Sequence, residues 1–92
     1  MKVKNPEDYK LSGFEKGKGV KKYNALLKNQ KTGETKKVPF GDRRFEQYKD
    51  LIGEYSQLDH KDKKRRELYR KRHKGEDQHK FSSGYFAMKY LW

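Results

Sequence analysis

The densest apolar patch in this chain is its last nine residues. Tyr85, Phe86, Met88, Tyr90, Leu91 and Trp92 crowd into 84–92. No other stretch matches it, because Leu, Ile, Val and Phe together supply only 16 of 92 residues. So small a share beside a net charge of +12 borders on the composition of a disordered chain. Aromatic residues, 14% of the sequence, work against that, since each can bury about 150–250 Å². The chain is therefore expected to close one small, aromatic-dominated core, with the C-terminal patch docked into it rather than frayed. A large enclosed catalytic cavity is not expected at this size.

Residues 1–8 are polar, contain Pro6, and read as a flexible N-terminal arm; 9–92 read as a single small α+β domain. Over 9–16, Tyr9, Leu11 and Gly13 alternate with Lys10, Ser12 and Phe14, a short strand ending at the flexible Gly17-Lys18-Gly19 turn. Tyr23, Ala25 and Leu27 share a face of a second strand over 20–28. Asn29-Gln30-Lys31-Thr32-Gly33 reads as a hairpin loop with Gly33 in the left-handed conformation. Lys36, Val38 and Phe40 line one side of a third strand, and Pro39, which has no N–H to donate, assigns that strand to an edge.

The period changes at Gly41-Asp42. Phe45, Tyr48, Leu51 and Ile52 recur at helical spacing, which predicts a short helix over 43–52, capped by Asp42 and stopped by Gly53. Tyr55 and Leu58 are expected to tuck inward from the loop that follows. A second helix is expected over 60–74, with Asp59 as cap and Gly75 as stop. Asp59, Asp62, Arg66, Tyr69 and His73 fall along one stripe of it, a polar seam that can dock against another element. Asp62 and Arg66 are spaced for an ion pair, and Leu68 and Tyr69 are its anchors. Ser83 can cap the C-terminal segment 84–92. The predicted fold class is α+β: a small three-stranded antiparallel β-meander followed by two to three short helices.

The segment 60–74 also carries the functional signal. It holds nine Lys or Arg against two acids. Such a helix, supported on one side, can lay cations along a phosphate backbone and bind by releasing counterions. The candidate phosphate contacts are Lys61, Lys63, Lys64, Arg65, Arg66, Arg70, Lys71 and Arg72, with Lys21 and Lys22 from the sheet. The expected partner is nucleic acid, duplex DNA favoured; the alternative is an acidic protein surface. Neither an oligomeric state nor a cofactor follows from the sequence.

Enzymatic readings lack their residues. Without cysteine there is no disulfide, thiolate zinc site or cysteine nucleophile. Residues 13–19 are Gly-rich but lack the strand–loop–helix setting that cradles phosphate. Asp59 and His73 would stand about 21 Å apart on one helix, too far to share a scissile bond. Asp59, His60 and Asp62 face different ways, so no metal site is expected. The protein is read as a non-enzyme. No stretch approaches the about 20 apolar residues of a membrane span, and no apolar run follows the basic start, so secretion by a signal peptide is not expected.

Several strings together, Val38-Pro39-Phe40-Gly41-Asp42, Tyr48-Lys49-Asp50, the run from Asp59 to Arg66, Tyr69, Arg72-His73, Ser83-Gly84-Tyr85-Phe86 and Tyr90-Leu91-Trp92, carry a resemblance. Over roughly residues 9–92 the chain resembles a family of short basic proteins of unknown function encoded by large double-stranded DNA viruses. The resemblance implies a viral origin and a place in the host cell interior or the virion. It raises genome packaging, or a minor capsid or cement role against acidic viral structural proteins. It assigns no catalytic residue.

Overall fold

The computed structural model describes residues 3–92 (at Asp77, the backbone only). Three antiparallel strands, β1 (Tyr9–Lys16), β2 (Tyr23–Asn29) and β3 (Thr35–Phe40), form one sheet in the order β1-β2-β3. Two α-helices follow, α1 (Lys63–Arg72) and α2 (Ser83–Tyr90). This is the α+β meander that the alternation predicts. β3 lies at an edge, where Pro39 is tolerated, and Gly33 turns the hairpin at φ +78°.

β1 departs from simple alternation, which would put Phe14 opposite Tyr9 and Leu11. The register shifts between Leu11 and Gly13, so Ser12 is an extra, bulged residue; its hydroxyl donates to Leu26 O at 3.0 Å. The bulge resets the faces, and Phe14 pairs with Ala25 on the side of Tyr23, Leu27, Val38 and Phe40. Phe14 then meets Phe40, Phe86 and Tyr90 edge-on, with centroids 5.9, 6.2 and 4.8 Å away.

The C-terminal segment closes this core. Phe86 and Leu91 are fully buried, Phe40 and Phe81 stack on Phe86, and Tyr90 packs beside it. The cap of α2 is Ser82, whose hydroxyl accepts from Tyr85 N, one residue before the predicted cap. Ser83 instead donates to Pro39 O at 2.6 Å, tying the helix start to the edge strand. Just past the end of β3, Gly41, at φ +76°, lies so close to Leu91 and Lys22 that a Cβ would stand 3.0 Å from each. The N-terminal arm predicted over 1–8 falls in part on residues 1 and 2, outside the described residues. Of the rest, Val3 is buried in the core and Pro6–Asp8 forms one 3-10 turn.

The helix predicted over 43–52 does not form. Its apolar stripe is split: Phe45 is 64% and Leu51 61% exposed, Tyr48 and Ile52 are half-buried, and Gln47 and Asp50 are buried. The segment runs as turns and bends because its backbone serves α2. Lys49 N and Leu51 N donate to Leu91 O and Tyr90 O, carbonyls that the end of a helix leaves unpaired. Its buried polar groups are fully used. Asp50 accepts from Ile52 N and Tyr55 N at 2.8 Å and from the Tyr23 hydroxyl. Asp59 accepts from Gln47 Nε2 at 2.6 Å and Asp50 N at 2.8 Å. With its carboxylate so engaged, Asp59 does not cap α1. Lys61, at φ +55°, breaks the helical path, and Asp62 caps instead, accepting from Lys64 N and Arg65 N. α1 is thus shorter than the predicted 60–74.

Candidate nucleic-acid interface

α1 is set by its ends and by one aromatic contact. Asp62 begins it, and Gly75, at φ +92°, follows its close at His73. No residue within it is buried, and Leu68, a predicted anchor, is 50% exposed. The other anchor is used: Tyr69 lies flat on Trp92, with His73 stacked on its other side, centroids 4.0 and 4.1 Å away. Burial raises the Tyr69 phenol above its ordinary pKa.

The ten predicted phosphate contacts divide by this docking. Lys61, Lys63, Lys64, Lys71, Arg72 and Lys21 are exposed. Arg65 is exposed and lies 3.4 Å from Glu46, a pairing that solvent weakens. Arg66 and Arg70 are used internally. Arg66 Nε donates to Trp92 O at 2.6 Å and its guanidinium covers Tyr48 at 4.7 Å. Arg70 donates to the same oxygen from Nε at 3.1 Å and Nη2 at 2.8 Å. The predicted Asp62–Arg66 ion pair is replaced by these bonds and by the cap.

Lys22 is the clearest correction. It is 2% exposed, too deep to meet a phosphate. Its ammonium donates to Phe45 O at 2.8 Å and to Gln47 Oε1. Burial lowers its pKa, against the pull of Asp50, Asp42 and Asp59. The alternation of the second strand placed Lys22 opposite Tyr23, on a solvent face, but it precedes the paired strand and turns under the 41–46 segment.

Between that segment and α1 lies an open cleft of about 650 Å³. One wall is a turn closed by Phe45 N donating to Asp42 O at 3.2 Å; Arg65, Tyr69, Arg72 and His73 form the other wall, and Leu91 and Trp92 the base. Five Lys or Arg line the cleft against two carboxylates, Asp42 and Glu46. Asp42 is clamped by Arg44, with Nη2 to Oδ2 at 2.7 Å, and hydrogen bonds from that side chain and from Arg44 N hold its carboxyl at about 2. Arg44 and Phe45 were invisible as site residues because they fell inside the helix predicted over 43–52. Asp42 and Arg44, two residues apart, were the available signal.

His60 packs against Trp92, with centroids 5.2 Å apart. Its Nδ1 accepts from Asp62 N at 2.9 Å, which leaves the proton on Nε2, a buried atom with no hydrogen-bond partner. Burial, and then Arg65, hold this imidazole below its usual pKa. Among the described residues no three His, Asp or Glu side chains converge as a metal site, and no helix is long and apolar enough to cross a membrane.

No protein-family model matches the chain, and no curated protein or solved structure matches it.

Proposed function

We propose that this protein is a non-enzymatic, sequence-nonspecific nucleic-acid-binding protein that holds phosphates along α1. The observation that carries this reading is the division of labour within the helix. One side is fastened by Tyr69, Arg66 and Arg70 onto Trp92. Lys63, Lys64, Lys71 and Arg72 remain exposed and, among the described residues, make no ion pair. A fixed row of unpaired cations on a chain of net charge +12 suits a polyanion and carries no base-reading geometry. Lys21, also without an ion pair among the described residues, adds a cation in the cleft. The viral resemblance adds genome packaging as the process such binding would serve.

The test is charge reversal on the free side of the helix. Lys63→Glu, Lys64→Glu and Lys71→Glu together should weaken DNA affinity at least about tenfold while the thermal melt stays cooperative. Plasmid DNA incubated with the protein and Mg²⁺ should stay uncut. An unchanged affinity in the folded triple variant contradicts the reading.

A further inference from the structure

We propose that the cleft between turn 42–45 and α1 clamps an unpaired stretch of nucleic acid, one base lying against Phe45 and its phosphates held from Arg72 and Lys21. The inference rests on the phosphate-binding reading above and adds the strand form to it.

Phe45 carries the proposal. It is 64% exposed, in a chain otherwise short of apolar groups. It is nonetheless held in place. The buried Lys22 ammonium donates to its carbonyl, and its N–H closes the turn onto Asp42 O. Arg44 adds a guanidinium 5.7 Å from the ring centroid. A buried cation thus fixes the backbone beneath a ring left open to solvent. The backbone that carries the ring is ordered before any ligand arrives, which lowers the cost of binding.

The charge of the cleft selects an anion. Both lining carboxylates are already paired, Asp42 with Arg44 and Glu46 with Arg65. Lys21 and Arg72 remain without an acidic partner among the described residues. An aromatic face beside unpaired cations matches a nucleotide, which offers a flat ring and a phosphate together. Charge alone favours duplex DNA. In a duplex, however, the base faces are stacked on one another and only edges and backbone are presented. An unpaired segment exposes base faces, and every base has one, so the contact needs no sequence preference. Lys21 and Arg72 give the cleft two cations without an acidic partner among the described residues, enough for successive phosphates of one strand, so a strand suits the surface better than a mononucleotide.

The experiment is fluorescence anisotropy on the full chain at matched salt, with a short oligothymidine, an RNA strand of equal length and a duplex of equal length. Wild type should bind the single strands several-fold tighter than the duplex. Phe45→Ala should lose about tenfold on the single strands and less than about twofold on the duplex, and Phe45→Tyr should retain wild-type binding. Because the ring is exposed, Phe45→Ala should melt like wild type. Equal affinity for both strand forms, or a Phe45→Ala variant as tight as wild type on single strands, overturns the clamp while phosphate binding by α1 stands. Failure to bind either form overturns both.

Discussion

Tyr69 lies against Trp92 with the two ring planes only 3° apart. Trp92 also receives Arg66 and Arg70 at its backbone oxygen and packs on His60. One residue at the end of the C-terminal patch therefore fastens a helix in which no residue is fully buried. A ten-residue helix this cationic does not persist without tertiary support. The apolar patch and the basic helix, the two most conspicuous features of the sequence, depend on each other.

Tyr69→Ala should loosen α1 before it unfolds the sheet. Losing a partly buried ring and its stacking should cost about 1.5–3 kcal/mol. Hydrogen exchange should show amides of α1 losing protection while those of β2 keep theirs. Uniform loss across the chain would mean that the helix and sheet unfold as one unit.

Lys22→Met keeps the apolar stem and removes the ammonium, leaving Phe45 O and Gln47 Oε1 without their donor. The expected loss is about 1.5–3 kcal/mol in urea denaturation. Duplex affinity of the folded variant should change little, because this cation meets no phosphate. A stable Lys22→Met protein with a large loss of duplex binding would restore Lys22 to the interface.

The pH dependence follows from His60. Its folded pKa lies below the ordinary 6.5, so as pH falls through 6.5 the unfolded chain takes up the proton first. Stability present above pH 6.5 is therefore lost on acidification, until the folded imidazole also titrates. Glu46, Asp62 and Asp59 offset part of the depression. Asp42, held at about 2, and Glu15, also lowered, contribute stability that is in place at higher pH and is lost as pH falls below their unfolded values, so they do not shape the slope between pH 7.5 and 5. Thermal melts between pH 7.5 and 5 should show the decline, and His60→Asn, which keeps an acceptor for Asp62 N, should flatten it. A melt that rises on acidification would contradict the assignment.

The sheet was legible in the sequence because alternation, a Gly-closed hairpin and an edge proline all point to one topology. The bulge at Ser12 was not, since one extra residue leaves no trace in a two-residue period except a phenylalanine on the wrong side. The segment 41–62 misled for a related reason. Phe45, Tyr48, Leu51 and Ile52 have helical spacing, but the buried positions are Gln47 and Asp50. They are fixed by bonds to Lys22, Tyr23 and Asp59, while Lys49 N and Leu51 N between and beside them bond the carbonyls that α2 leaves open. Periodicity records apolar burial, and this segment is held by polar burial. The same blind spot hid Phe45 and Arg44 from the candidate site and placed Lys22 in it.

The salt dependence of binding tests the central proposal most directly. For duplex DNA the logarithm of the association constant should fall linearly with the logarithm of salt concentration, with a slope of about −0.9 for each phosphate neutralised. The Lys63→Glu, Lys64→Glu, Lys71→Glu variant should show a visibly shallower slope at unchanged fold. A slope near zero for the wild-type protein, or one that the triple variant leaves intact, would contradict phosphate binding through α1.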